Sequence, residues 1–345
     1  MNEREHGPRG GGPGEAFAGA RLHIVTGKGG TGKTTAATAL ALALAADGGR
    51  VLLLEVEGRQ GVASLLGSGP LPYEERRMLS VPGGGSVSVL AADAEAALLE
   101  YLELFYGMRR AGQALTKMGA VDFATTIAPG LRDVLLTGKA TEAVRRREGG
   151  PRATDGPHHY DAVVMDAPPT GRIGRFLNVN SEVAGLARTG PIRSHADRVM
   201  SVIRSELTRV HFVTLLEEMP AQETRDGIAE IEALGLRTGA VLVNMVGPPL
   251  LDEADVAEAV AGDLDEVALA DGLKSAGLAD PERLSADLAG EVRAYALRHR
   301  LEERVRTGLA DLGNPLVELP RAEGRMDRSA LTVLADRLAE QGVRR

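Results

Sequence analysis

The sequence contains no cysteine among its 345 residues. A disulfide framework, a zinc site built from thiolates and an iron–sulfur cluster held by cysteine are therefore all excluded. The chain also lacks any run of about 18 apolar residues without a charge, so we predict no membrane-spanning helix. Residues 1 to 20 mix glycine with both charges and have no apolar core segment, which predicts a flexible tail and not a signal peptide. We therefore expect a cytoplasmic protein.

An excess of positive charge is also lacking. The chain has 40 Lys and Arg residues against 48 Asp and Glu residues, for a formal net charge of −8. Because binding to nucleic acid requires concentrated Lys and Arg opposite the phosphates, we expect no nucleic-acid partner. The length allows two domains, but an apolar fraction of 43% is ample for one large core. We predict a single domain over residues 21 to 345.

Short apolar runs alternate with helical patterns along the chain. They resemble strands buried on both faces and lie at residues 22–25, 51–54, 87–91, 162–165, 211–215, 240–243 and 316–319. This alternation predicts an α/β fold with a doubly wound, mostly parallel sheet. Two longer helical insertions interrupt it, at about residues 94–147 and 181–207, and a third helical region covers about residues 253–312.

Residues 27 to 34 read Gly-Lys-Gly-Gly-Thr-Gly-Lys-Thr, between the first apolar run and an alanine-rich helical stretch. Strand, loop and helix in this order are the setting of a P-loop, which binds nucleoside triphosphate. We expect Lys33 to neutralise the β and γ oxygens of ATP and the Thr34 hydroxyl to ligate Mg²⁺. An ordinary glycine turn is the alternative, but chance does not also supply the flanking strand and helix. The ATP-binding residues predicted here are Gly27, Lys28, Gly29, Gly30, Thr31, Gly32, Lys33, Thr34 and Thr35.

Two glutamates follow the second apolar run, Glu55 at its end and Glu57 just beyond it. Ligands of open α/β sheets lie beyond the carboxyl ends of the strands, so a carboxylate here would face the γ-phosphate. We predict that Glu57 is catalytic and orients or deprotonates the attacking water. Glu55 is the alternative for this role, and a solvated loop acid is the alternative for Glu57.

Asp166 ends the apolar run at residues 162–165 and is followed by Ala-Pro-Pro-Thr-Gly. An aspartate in this setting typically holds a Mg²⁺-bound water opposite the P-loop hydroxyl, so we predict that Asp166 contacts the metal through water and is needed for catalysis. A helix-capping aspartate is the alternative. The prolines and Gly171 after it suit a switch loop that responds to the γ-phosphate.

Lys28 is one lysine more than a phosphate loop needs. With this lysine, the loop resembles the deviant Walker A motif of ATPases that work as face-to-face dimers. Residues 166 to 172, Asp-Ala-Pro-Pro-Thr-Gly-Arg, are similar to the Asp-Thr-Ala-Pro-Thr-Gly-His of the ArsA and GET branch of these ATPases. The stretch from Pro129 to Asp133 resembles a Pro-Gly-x-x-Glu helix start in that branch. From about residue 21 to 342 the chain resembles this branch, and especially the ArsA-like anion-transporting ATPases of actinobacteria.

The resemblance implies that Lys28 is catalytic and reaches across the dimer to the partner's phosphates. It implies a homodimer, or a heterodimer with an ArsA-like paralogue, and a hydrophobic client or a membrane protein as partner. It further implies that Asn244 binds the adenine and that residues 320 to 324, including Pro320 and Arg321, cover the base. The alternatives are that Lys28 is a solvated loop charge and that Asn244 is a turn former.

The departures from the family pattern are specific. Where family members carry Asp-Pro-Ala-His in switch I, this chain has Glu57, Gly58, Arg59 and Gln60, so hydrolysis is expected to be slow or altered. The cysteines that bind zinc or arsenite in relatives are missing, so we expect neither zinc nor activation by metalloids.

Two functions therefore stay open. One is an ATPase that couples dimer closure to a client, and the other is a weakly hydrolysing or non-hydrolysing structural subunit paired with a paralogue. A ParA-like partitioning role is a third alternative, and the missing basic surface counts against it.

Overall fold

The computed structural model describes residues 12–106, 129–149, 153–178 and 191–345. Its centre is an eight-stranded sheet in the order β3-β4-β2-β5-β1-β6-β7-β8. The strands are β1 (Leu22–Gly27), β2 (Arg50–Glu55), β3 (Arg76–Ser80), β4 (Ser86–Ala91), β5 (Ala162–Asp166), β6 (Thr208–Thr214), β7 (Thr238–Val246) and β8 (Leu316–Pro320). All neighbouring strands are parallel except β3 and β4. The predicted α/β class and mostly parallel sheet are confirmed.

Eleven α-helices lie in the described part of the chain. They are α1 (Lys33–Ala45), α2 (Gly61–Leu65), α3 (Ala94–Tyr106), α4 (Pro129–Arg145), α5 (Thr170–Leu177), α6 (Pro191–Ile203), α7 (Glu218–Ala233), α8 (Glu253–Ala261), α9 (Glu266–Ser275), α10 (Pro281–Ala310) and α11 (Arg328–Glu340). The two predicted insertions contain α3, α4 and α6, and their remaining parts at 107–128 and 181–190 lie outside the described residues. The third helical region contains α8, α9 and α10.

The sheet separates two hydrophobic cores. One face packs against α1 and α11, and the other packs against α4, α5, α6 and α7. Alanine and leucine make up most of α1, and all of its residues from Ala36 to Ala45 are buried. Small side chains let a helix lie close to both the sheet and a neighbouring helix, so α1 is fixed from two sides. The P-loop that precedes α1 is therefore anchored at the centre of the fold.

The antiparallel edge strand β3 is the element that the apolar pattern does not reveal. Its residues, Arg-Arg-Met-Leu-Ser, are exposed or half-buried, and among the described strands it pairs with β4 alone. A strand at a sheet edge buries little side-chain surface, so it carries no continuous apolar run.

Part of the predicted flexible tail is packed, which corrects the expectation for residues 12 to 20. Pro13–Ala16 form a short 3₁₀-helix, and the Phe17 ring is fully buried and stacked on His211 at 4.6 Å between ring centres. A single large aromatic side chain anchors this segment, because burying a phenylalanine contributes roughly 1.5–3 kcal/mol. The sequence interpretation missed the role of Phe17 because the segment around it is rich in glycine.

Beneath Phe17 lie two fully buried histidines on adjacent strands, His23 and His211. The backbone N–H of Ala240 donates to His211 Nδ1 at 3.0 Å, so neutral His211 carries its proton on Nε2. His211 Nε2 therefore donates to His23 Nδ1 at 3.1 Å. Burial lowers the pKa of His23 to about 4, and it holds the pKa of His211 well below its ordinary value. Both rings are neutral in the folded protein at pH 7.

This pair should make the protein less stable in mild acid. Unfolding frees both rings to take up protons near their ordinary pKa of 6.5, so their contribution is fully present above pH 6.5 and is lost as pH falls toward 4. Between pH 7.5 and 5.5 the two together should lower the free energy of unfolding by about 2 to 3 kcal/mol. Urea denaturation at both pH values measures this change, and in His23→Phe it should shrink by about half. An unchanged pH dependence in His23→Phe would contradict the assignment.

Candidate nucleotide-binding site

The P-loop connects β1 to α1 at the carboxyl edge of the sheet. Two of its glycines are required by close contacts as well as by backbone conformation. Gly27 has φ 153°, and a Cβ there would lie 2.2 Å from the carbonyl oxygen of Val213. Gly32 has φ 84°, and a Cβ there would lie 2.3 Å from Asn244 Nδ2. A Cβ at Gly27 would displace the backbone of β6, and a Cβ at Gly32 would displace the Asn244 side chain, so the loop is shaped by the strands around it.

Lys33 is the first residue of α1 and is only 8% exposed. Among the described residues it has no ion-pair partner, although a buried ammonium normally requires one. Its charge is felt by Asp166, whose pKa it lowers in opposition to the effect of burial. A buried cation at a helix N-terminus beside three glycines with positive φ is suited to a phosphate group. This geometry is what the sequence predicts for Lys33, with Thr34 and Thr35 following it in the first turn.

Asp166 and Thr34 form the second part of the site. The Thr34 hydroxyl donates to Asp166 Oδ2 at 2.6 Å, while Asp166 Oδ1 is buried and has no hydrogen-bond partner in the described structure. Burial, with smaller contributions from Glu55 and Glu57, raises the pKa of Asp166 to about 6, against the opposing effects of the Thr34 hydrogen bond and of Lys33. A hydroxyl beside an unsatisfied carboxylate oxygen is a hard oxygen donor set, which fits Mg²⁺ with its bound waters. The helix-capping alternative is wrong, because Pro169 occupies the N-cap of α5.

The interaction between Asp166 and the metal can be tested by removing charge at constant shape. Asp166→Asn should weaken the apparent Mg²⁺ affinity by about 10- to 100-fold without lowering the melting temperature, because it removes a buried charge. ATP turnover titrated with MgCl₂ measures this affinity. Asp336→Asn, an exposed position on α11, is the matched control and should behave like the wild type. An unchanged Mg²⁺ requirement in Asp166→Asn would remove Asp166 from the site.

Glu55 and Glu57 have different surroundings. Glu55 is 2% exposed and accepts hydrogen bonds from the backbone N–H of Gly61, at 2.7 Å, and of Val62, at 3.3 Å. These two bonds cap the N-terminus of α2, so the carboxylate of Glu55 is already engaged. Glu57 has a side chain that is 15% exposed and lies 3.9 Å from Arg59. The geometry leaves Glu57 as the carboxylate available to a water molecule, and its catalytic role stays a prediction.

Hydrogen bonds from side chains to the backbone hold the segments that follow Glu57 and Asp166. Gln60 makes reciprocal hydrogen bonds with the backbone of Leu71, at 3.0 Å and 2.8 Å, and thereby fixes the end of switch I. In the other switch, the Thr26 hydroxyl donates to the carbonyl of Pro168 at 2.7 Å. The loop after Asp166 is thus bonded directly to the P-loop strand.

Lys28 has an ion-pair partner within its own chain, Glu223, which the sequence does not reveal. Its Nζ lies 2.6 Å from Glu223 Oε1, and Glu223 Oε2 accepts a hydrogen bond from the Thr170 hydroxyl at 3.1 Å. The Lys28 hydrogen bond is the main cause of a lowered pKa at Glu223. Both side chains of the ion pair are partly exposed, at 29% and 37%. Glu223 on α7 therefore links the extra lysine of the P-loop to the start of α5.

Asn244 lies against the P-loop rather than in an open pocket. Its Nδ2 donates to the carbonyl of Thr31 at 2.9 Å. The pairing of β7 with β8 shifts between Val243 and Val246, and Met245 in this interval has φ 59°. A bulge of this kind redirects a side chain beside a functional site. The contact of Asn244 with the P-loop was missed by the sequence interpretation, and adenine binding by Asn244 stays a prediction.

The segment predicted to cover the base begins at the end of β8. Pro320 is the last residue of β8, and the backbone N–H of Arg321 donates to the carbonyl of Val246 at 2.9 Å. Both residues therefore lie at the same sheet edge as Asn244. Their contact with the adenine stays a prediction.

The fold and this site together define a P-loop NTPase with an extra lysine in the phosphate loop. A family model described as anion-transporting ATPase matches residues 20–203, more than half of the chain, and the chain belongs to this ArsA ATPase family. ATPase BagA of Mycobacterium tuberculosis is 47% identical over 328 residues, which are 95% of both chains.

More distant relatives include both arsenical pump-driving ATPases and GET3 ATPases. The arsenical pump-driving ATPase of Escherichia coli is 27% identical over 282 residues, 77% of this chain and 44% of that protein. ATPase GET3 of Kluyveromyces lactis is 25% identical over 269 residues, 68% of this chain and 74% of that protein. The predicted family is confirmed, and it supports ATPase function. In the ranges that the structure describes, no helix is both long and apolar enough to cross a membrane.

Proposed function

We propose that this protein binds and hydrolyses ATP with Mg²⁺ and works as a dimer that closes on nucleotide. The arrangement of Lys33, Thr34 and Asp166 carries the proposal. Three groups converge at the end of β1: a buried ammonium, a hydroxyl and a carboxylate. Among the residues that the structure describes, the ammonium has no ion-pair partner and one carboxylate oxygen has no hydrogen-bond partner. Together they form a site for a triphosphate and its metal. Bound Mg²⁺ would neutralise charge on the phosphate oxygens.

The residues of the chain have separate roles in this proposal. Lys33 and the backbone N–H groups of the P-loop hold the phosphates, and Thr34 and Asp166 face the metal and its waters. Glu57 orients the attacking water and accepts its proton. Asn244, Pro320 and Arg321 form the base end of the site.

Closure of the dimer is assigned to Lys28. In the single subunit its charge is compensated by Glu223, so a partner's phosphate must compete with this carboxylate for the ammonium. A triphosphate carries more negative charge than one carboxylate, so ATP in the opposite subunit favours the exchange. Because Thr170 shares Glu223, release of Lys28 would also change the hydrogen bonding at the start of α5. The partner is a second copy or an ArsA-like paralogue, and the dimer acts on a hydrophobic client or a membrane protein.

A non-hydrolysing structural subunit is the second candidate, favoured by the Glu-Gly-Arg-Gln switch I. One experiment separates the two. ATP turnover is measured with the purified protein, alone and mixed with an ArsA-like paralogue, with and without Mg²⁺. Turnover that requires Mg²⁺ and rises more than linearly with protein concentration supports the dimeric ATPase. Nucleotide binding with no turnover in either mixture supports the structural subunit.

A further inference from the structure

A cavity of about 830 Å³ lies at the amino-terminal edge of the sheet. It is bordered by Arg21, just before β1, and by side chains of α4 and α6. The P-loop lies at the other end of β1, and six strand residues at about 3.3 Å each place it roughly 20 Å away. The volume is typical of small-molecule sites, which span about 300–1,000 Å³. This cavity is therefore distinct from the nucleotide site.

The charged lining of the cavity is mostly basic, although the whole chain is acidic. Its charged side chains are Arg21, Lys139, Arg145, Arg146, Arg147 and Arg198, against only Glu100 and Glu142. Lys139 pairs with Glu100 at 2.8 Å, and Arg146 pairs with Glu142 and with Glu75. The two glutamates of the lining are thus engaged by Lys139 and Arg146.

Arg21 and Arg147 have no direct ion-pair partner among the described residues. Arg21 donates to the carbonyls of Tyr160, at 2.6 Å, and Asp161, at 3.4 Å, and Arg147 donates to the carbonyl of Gly156 at 3.0 Å. Carbonyl oxygens satisfy the N–H groups but do not neutralise the cations. Burial, and next the charge of Arg147, lowers the pKa of Arg21. The Asp161 carboxylate opposes this shift less strongly, and it also pairs with Arg345 at 3.4 Å.

The neighbourhood of these arginines is held by backbone pairing. Arg147 and His158 form an antiparallel bridge, and the N–H of His159 donates to the carbonyl of Arg146 at 2.9 Å. His158 Nδ1 is buried and lacks a hydrogen-bond partner among the described residues. Burial and both arginines lower the pKa of His158. The cations repel one another in a fixed arrangement, and a bound anion would relieve this repulsion.

The rest of the lining is largely apolar and includes Tyr73, Ala97, Leu135, Val144, Val199 and Leu207. An inorganic oxyanion would leave this surface in contact with water, and a neutral apolar molecule would leave both arginines without a direct counter-ion. We propose that the cavity binds an amphipathic organic anion, with a carboxylate or phosphate headgroup at Arg21 and Arg147 and an alkyl or acyl body against the apolar side chains.

The test is calorimetric titration with four probes: octyl phosphate, octanoate, octanol and inorganic phosphate. At least one of the two amphipathic anions should bind at least tenfold more tightly than both octanol and inorganic phosphate. The ranking of octyl phosphate and octanoate identifies the preferred headgroup. Equal binding of octanol and both anions would overturn the proposal, since the arginines would then contribute nothing.

Matched variants assign the binding to this cavity. Arg147→Gln, and independently Arg21→Gln, should weaken the preferred anion at least tenfold while octanol binding is retained, which also reports an intact cavity. Arg204→Gln, exposed just after α6 and outside the lining, should bind like the wild type. Lys33→Ala, or saturation with ATP and Mg²⁺, should leave anion binding unchanged. Loss of anion binding under either condition would place the probe in the P-loop and refute the proposal.

Discussion

Replacing Lys28 with alanine is expected to lower ATP turnover by about 10³-fold, the effect of removing a cation supplied in trans to a transferred phosphoryl group. Each subunit still binds ATP through Lys33 and Thr34, so equilibrium nucleotide affinity should stay near the wild-type value. The variant should also lose any ATP-dependent change in sedimentation, because the lysine can no longer bridge the subunits. Nucleotide titration, turnover and sedimentation velocity measure these three properties on one preparation.

Glu223→Gln is the informative companion to Lys28→Ala. The amide keeps the size of the side chain and an acceptor for Thr170, but it removes the charge that holds Lys28 within its own subunit. We expect the ATP-dependent dimer to form at a lower ATP concentration than in the wild type, with turnover not reduced. A Glu223→Gln protein with reduced turnover would show that the ion pair positions Lys28 for its role. A Lys28→Ala protein that closes and hydrolyses like the wild type would leave an ordinary monomeric NTPase.

The second large effect is expected at Glu57. Glu57→Gln preserves the volume of the side chain but cannot accept a proton from water, so turnover should fall by about 10²- to 10⁴-fold while ATP affinity survives. Single-turnover hydrolysis separates this chemical step from binding and product release.

Glu55→Gln is the matched control for Glu57→Gln. Its amide oxygen can still accept a hydrogen bond from the N-terminus of α2, so we expect a smaller loss of turnover and a small loss of stability. If Glu55→Gln abolished turnover and Glu57→Gln did not, the two glutamates would exchange roles. If both variants hydrolysed normally, neither would be the general base.

Much of the fold was predictable because parallel strands buried on both faces leave continuous apolar runs. All seven predicted strands are present, from Leu22 in β1 to Leu319 in β8. The edge strand β3 escaped because it buries little surface. Phe17 escaped for a different reason: one buried aromatic ring in a glycine-rich segment produces no periodic pattern, and its partner His211 is distant in sequence.

In the candidate site, too, some features were predictable from the sequence and others were not. The proximity of Lys33, Thr34 and Asp166 was predictable because the phosphate loop and the strand ending in Asp166 have recognisable local patterns. The hydrogen bond between Thr34 and Asp166 follows from β1 and β5 being neighbours. The engagement of Glu55 at the N-terminus of α2 was not predictable, because it depends on how the chain turns after β2.

The sequence by itself determined the family, the phosphate loop and the order of strands and helices, because these depend on local composition and periodicity. Tertiary structure alone decided which charges are compensated. Lys28 meets Glu223 across 195 positions of sequence, whereas the hydrogen bonds of Arg21 and Arg147 within the described residues go to carbonyl oxygens. Coulomb energy depends on distance in space and on burial, and separation along the chain specifies neither.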